Sequence, residues 1–61
     1  MYVLFKVRSE QEMYFTGEYD LRTGKPKTSK DLTKSMPFKT KEQAYAEATI
    51  DGLLDFRVGR R

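Results

Sequence analysis

Phe38-Lys39-Thr40-Lys41-Glu42-Gln43-Ala44-Tyr45-Ala46-Glu47-Ala48, continuing through Thr49-Ile50-Asp51 to Gly52-Leu53, is the stretch that decides the fold. Thr40 and Gln43 stand at capping-box spacing, a hydroxyl for the first free N–H groups of a helix and an amide reaching back to its start. Alanines at 44, 46 and 48 favour helix strongly. Gly52 stands where a glycine ends a helix in a left-handed turn, which would bring Leu53 onto Ala48. The spacing predicts a helix that begins within two residues of Thr40 and ends near Gly52. Ala44 and Ala48, one turn apart, would let it lie close to a sheet.

Working outward, Met36-Pro37-Phe38 cannot be helical through Pro37 and reads as extended or as a short edge strand. On the other side Leu54, Phe56 and Val58 alternate with Asp55 and Arg57, which predicts a last strand. Residues 2–8 also alternate, Val3, Phe5 and Val7 against Tyr2, Leu4, Lys6 and Arg8. Residues 13–19 repeat the pattern, Met13, Phe15, Gly17 and Tyr19 against Tyr14, Thr16 and Glu18. Ser9-Glu10-Gln11-Glu12 joins the two as a hairpin loop. Gly17 inside a strand suggests a bulge or a close backbone approach. Residues 22–36 are least regular: Thr23-Gly24-Lys25-Pro26 is turn chemistry, and Ser29 opens a single helical turn.

The expected fold is a single α+β domain over 1–61, a small antiparallel sheet packed against one helix, in the order β-β-β-α-β. Its expected core is Phe5, Phe15, Phe38, Ala48, Leu54 and Phe56.

A chain of 61 residues allows one domain, and it buries only about 60% of the surface that its unfolded form exposes. There is no Cys and no His, which excludes disulfides, thiol nucleophiles, imidazole bases and zinc sites of the usual ligands. The apolar runs are too short for a signal peptide or a membrane span. The expected setting is therefore cytoplasmic, and the start at Met1 suggests a complete short reading frame.

Catalysis finds little support. Ser9, Ser29 and Ser35 have no His to activate them, and Lys30 beside Ser29 is adjacency, not a dyad. Glu10 and Glu12 could share a face as paired carboxylates or a hard-metal site, but a solvated loop is the plainer account. Gly17 with Gly24-Lys25 has the wrong spacing for a phosphate loop, and Pro26 stands where Ser or Thr is needed. The chain is expected to be no enzyme and to need no cofactor and no metal.

Charge is more informative. The total is +3, yet residues 22–41 carry seven cations (Arg22, Lys25, Lys27, Lys30, Lys34, Lys39, Lys41) against Asp31 alone. Basic clusters attract phosphate backbones; a solubilising loop is the plainer alternative. The second candidate is the outer face of the hairpin, read as Tyr2, Leu4, Lys6, Arg8, Tyr14 and Thr16. Aromatics and cations on an exposed sheet suit nucleic acid or a protein partner. Packing under the loop 22–36 as a second small core is the plainer account of Leu4 and Tyr14, and for Leu4 it is the reading adopted, since so short a chain needs every apolar residue it has.

Thr23-Gly24-Lys25-Pro26-Lys27 and Phe38-Lys39-Thr40-Lys41-Glu42-Gln43-Ala44 resemble the three-stranded DNA-binding domain at the N-terminus of phage and transposon integrases. That resemblance implies DNA reading by the sheet. It matches Lys25 and Lys27 to basic turn positions, and Phe38, Thr40 and Ala44 to structural ones. Residues 28–36 and 53–58 depart from the pattern. The cadence Thr-Ser-x-Asp-Leu followed by Phe-x-Thr-x-Glu-x-Ala is also similar to short uncharacterised proteins encoded in phages and prophages of Gram-positive bacteria, which implies no activity.

The expectation is a small binding protein of phage or mobile-element type that takes nucleic acid through Lys6, Arg8, Tyr14, Arg22, Lys25, Lys27, Lys30 and Lys34. The alternative is an accessory factor or inhibitor that docks on a host or partner protein. A homodimer through a sheet edge is a third arrangement. No membrane partner is expected.

Overall fold

The computed structural model describes all 61 residues. Four strands form one antiparallel sheet: β1 Tyr2–Arg8, β2 Gln11–Tyr19, β3 Pro26–Ser29 and β4 Arg57–Arg60, in the spatial order β3-β2-β1-β4. One helix, α1 Lys41–Ile50, packs on β1 and β4. A 3₁₀ turn at Leu32–Lys34 precedes it. No helix is long and apolar enough to cross a membrane. The α+β class and the element order agree with the sequence, but the third strand is Pro26–Ser29 and not the stretch 36–38, whose Phe38 makes only an isolated bridge to Tyr2.

The helix is built as its sequence predicts. Thr40 is the N-cap, and its Oγ1 accepts from Gln43 N at 3.1 Å. The returning bond differs by one residue: Gln43 Oε1 accepts from Lys39 N at 3.1 Å, one position before the cap. Gly52 has φ +71°, and Leu53 N donates to Ala48 O at 2.7 Å, the closing bond of a glycine-terminated helix. Ala44 and Ala48 are the helix residues that reach the core.

β1 faces the opposite way from the expectation. Tyr2, Leu4 and Lys6 point to the helix side, and Val3, Phe5 and Val7 point away. Register shows this: Leu4 pairs with Val58 and joins the core cluster of Phe15, Phe38, Ala44, Ala48, Leu53 and Phe56. Phe5 is only half-buried and lies outside that cluster. Both residue sets of β1 are apolar at several positions, so alternation gave the period and left the facing undecided. Leu4 therefore belongs to the main core and not under loop 22–36.

Leu54 is also corrected: it is 76% exposed, while Leu53 is buried. The glycine turn commits Leu53 to the core, and the chain turns again before the last strand, which begins at Arg57 and not at Leu54. Ser9 and Glu10 alone make the first hairpin turn, both at positive φ (52° and 65°), with Arg8 paired to Gln11. The four-residue loop expected over 9–12 is thus two residues long, as type I′ hairpins are.

β3 lies in the segment that reads as irregular. Between Phe15 and Tyr19 the register against β3 slips, at a bulge centred on Gly17. Gly17 has φ +89°, and a β-carbon there would stand 3.0 Å from Met36 Sδ, so both the bulge and the close approach are real. The helical turn is capped by Asp31 instead of Ser29: Asp31 Oδ1 accepts from Thr33 N at 3.0 Å. The Thr33 hydroxyl first, then its N–H, hold the Asp31 carboxyl below its usual range.

Residues 36–38 are extended, as expected, and enter where β1 and β2 splay. Met36 N donates to Phe15 O at 2.9 Å, and Phe38 exchanges two 2.8 Å bonds with Tyr2. Residues 30–35 must therefore cross β2. Arg61, which alternates with Arg60 and so points away from the helix, donates from Nη1 to Ser35 O at 3.5 Å. The crossing passes over the face opposite the helix, where Val3 is almost fully buried.

Candidate nucleic-acid interface

The crossing leaves half of that face open. Phe5 pairs with Tyr14 on β2 and with Arg57 on β4, and Tyr14 pairs with Ser29 on β3. Residues paired across strands share a face, so Ser29, Tyr14, Phe5 and Arg57 form one row spanning the sheet. The next row toward the hairpin turn holds Glu12 and Val7. Phe5 and Tyr14 are half-buried, with ring centroids 6.4 Å apart and planes tilted by 48°. Val7 is 59% exposed.

Tyr14 is held from its rim. Its hydroxyl donates to Glu12 Oε1 at 2.7 Å. Glu12 and Tyr14 are two apart on one strand and so share a face. That hydrogen bond, foremost, raises the phenol pKa, and the carboxylate's charge adds to it. The hydroxyl is thus directed toward the hairpin turn.

The eight expected residues divide among three places. Tyr14 lies on the open face, and Lys27 shares it, alternating on β3 with Thr28, which pairs with Phe15 on the core side. Thr16 Oγ1 donates to Lys27 O at 3.1 Å and ties the edge strand to β2. Lys30 and Lys34 are exposed on the crossing over the same face. Lys6 points to the helix side, 3.6 Å from Asp55 Oδ2 and 5.1 Å from the centre of the Phe56 ring. Arg8 shares the parity of Lys6. Arg22 and Lys25 belong to the β2–β3 turn, which Asp20 closes by accepting from Arg22 N at 2.7 Å and Thr23 N at 3.3 Å. A strand rises about 3.3 Å per residue, so that turn lies roughly 20 Å from Tyr14.

The hairpin face read as Tyr2, Leu4, Lys6, Arg8, Tyr14 and Thr16 is therefore not one surface. Its β1 members lie on the helix side and its β2 members on the open side. Tyr2 is flanked by Lys41 Nζ and the Arg60 guanidinium, each 6.0 Å from its ring centre. Lys39 and Lys41 stand there too, so the basic segment 22–41 does not form a single patch. Sequence reasoning missed Phe5 and Arg57, which the β1 parity error and the limits of the basic segment concealed. The signal was present in the alternation of Arg57 with Phe56.

No group of three Asp, Glu, His or Cys side chains is placed to hold a metal. The two surface grooves are shallow and mostly polar, one lined by Tyr2, Lys39, Thr40, Lys41 and Glu42, the other by Lys6, Val7, Asp55 and Arg57. Comparison of the chain with protein-family models, with curated proteins and with solved structures gives no match.

Proposed function

We propose that this protein binds nucleic acid on the sheet face turned away from the helix, in a cytoplasmic setting. The observation that carries this reading is the cross-strand row of Ser29, Tyr14, Phe5 and Arg57. Two neighbouring aromatic rings supply stacking surface, which every base can use. Arg57 at one end and Lys27 on the flanking strand supply cations for phosphates, with Lys30 and Lys34 on the adjoining crossing. The likeness of residues 23–27 and 38–44 to the integrase DNA-binding domain supports the same class of partner.

The test is a titration of fluorescent single-stranded and duplex oligonucleotides at two salt concentrations. Tyr14→Ala and Phe5→Ala should each weaken single-strand binding by ~1–3 kcal/mol. Arg57→Ala with Lys27→Ala should lower the salt slope by up to about 1.4, since each contact contributes roughly 0.7 on single strands. No binding at micromolar protein in low salt would refute the reading.

A second reading rests on exposed apolar residues elsewhere in the chain. Tyr45, Ile50 and Leu54 are large apolar residues left exposed, on the helix and just past its end. Exposed apolar side chains suit a protein partner, as in an accessory factor or inhibitor. Under that reading Ile50→Asp and Leu54→Asp abolish capture of the partner, and Tyr14→Ala does not.

A further inference from the structure

On the nucleic-acid reading above, Glu12 is out of place: it is the one carboxylate in the two rows of the open face, and its charge repels phosphate. We infer that Glu12 is a specificity residue that selects bases bearing an exocyclic amino group. The Tyr14 hydroxyl donates to Glu12 Oε1 at 2.7 Å, which fixes the carboxylate at the edge of the stacking ring. Oε2 makes no hydrogen bond within the protein and keeps its full capacity to accept. A carboxylate has no donor to offer. A base stacked on Tyr14 with its pairing edge beyond the ring therefore meets an acceptor only. Cytosine answers with its N4 amino group, the pairing that carboxylates make with cytosine in duplexes. Thymine and uracil present O4 at the same position, where two acceptors repel, and their one donor on that edge, N3–H, lies a ring position further from it. Stacking gives affinity without choice; the carboxylate beside it adds choice at a cost in phosphate attraction.

The probes are oligo-deoxycytidine and oligo-thymidine of about 15 nucleotides, a length within the span of small single-strand sites. Both are pyrimidine strands, so stacking differs little between them. The native chain should bind the cytidine strand at least about tenfold more tightly, the lower end of what one charge-assisted hydrogen bond is worth. Glu12→Gln should tighten thymidine binding and bring the ratio close to one. Tyr14→Phe keeps the ring and removes the hydroxyl that positions the carboxylate; it should lose most of the preference. Equal binding of both strands by the native chain overturns the inference while leaving the nucleic-acid reading intact. A preference that survives Glu12→Gln overturns it as well. Binding of neither strand overturns both.

Discussion

The ring of Phe5 lies over Gly59: a β-carbon at that position would stand 2.8 Å from Phe5 Cε1. Arg57 is the direct cross-strand partner of Phe5, and Gly59 is the diagonal one. Only a residue without a side chain lets the ring lean along β4, and this placement sets where the Phe5 ring stands beside Tyr14 on the open face. Gly59→Ala should push the ring aside. The strand gains propensity from alanine, so stability should change by less than about 1 kcal/mol. Oligonucleotide affinity should fall several-fold. Unchanged affinity with a normal melt would show that the position of this ring does not matter for binding.

The first hairpin turn holds a conformation its residues disfavour. Ser9 and Glu10 both have φ between 50° and 70°, where a side chain costs roughly 1–2 kcal/mol. Glu10→Gly should therefore raise stability by about 1 kcal/mol, visible as a melting temperature higher by about 4–8 °C for a domain of this size. A lower melting temperature would show that the Glu10 side chain makes a compensating contact.

Tyr19 packs edge-on against Phe15, centroids 5.6 Å apart, yet its hydroxyl is buried without a hydrogen-bond partner. Burial first, then the charges of Asp51 and Glu47, and last the approach of the Asp51 carboxylate to the hydroxyl, outside hydrogen-bond geometry, raise its pKa. A buried hydroxyl with no partner keeps its full desolvation penalty. Tyr19→Phe retains the ring and should be neutral or stabilising by up to ~1 kcal/mol in chemical denaturation. A clear loss would mean that the hydroxyl is satisfied in solution.

Glu47 and Asp51 sit one helical turn apart at the negative end of α1. A hydrogen bond to Asp51, then burial, then the Asp51 charge raise the Glu47 pKa. A carboxyl whose folded pKa exceeds its unfolded value adds stability below the unfolded value and loses it as pH rises through the folded one. Asp31 acts in the opposite sense: its lowered pKa gives stability above the unfolded value, lost as pH falls through the folded one. Glu47→Gln should raise stability at neutral pH by a few tenths of a kcal/mol, the scale of a like-charge pair at this spacing. It should also remove the gain seen on mild acidification. Melts at pH 7 and in the mildly acid range, compared between native chain and variant, measure both effects; an unchanged pH profile would contradict the assignment.

The helix was legible because its signals are local. Thr40, Gln43 and Gly52 act within a few residues of themselves, and the Leu53–Ala48 bond follows from them. The facing of β2 was legible too, since Phe15 and Tyr19 alternate with the more polar Thr16 and Glu18. β1 was not, because its facing depends on which strands lie beside it: Leu4 is placed by Val58, more than fifty positions away. β3 was hidden by Pro26 and Lys27, residues that suit an edge strand because they discourage further pairing, but that read locally as a turn. The candidate site inherited these limits. Tyr14 was placed on the open face by the alternation of β2; Lys27 was reached through the basic segment and not through its strand, and Phe5 and Arg57 required the register.

The most direct test of the central claim is amide and side-chain NMR of the labelled chain during titration with a single-stranded oligonucleotide. The open-face reading predicts shift changes concentrated on Phe5, Val7, Glu12, Tyr14, Lys27 and Arg57, fading as salt is raised. Changes confined to Tyr45, Ile50 and Leu54, or no changes at millimolar oligonucleotide in low salt, would contradict it.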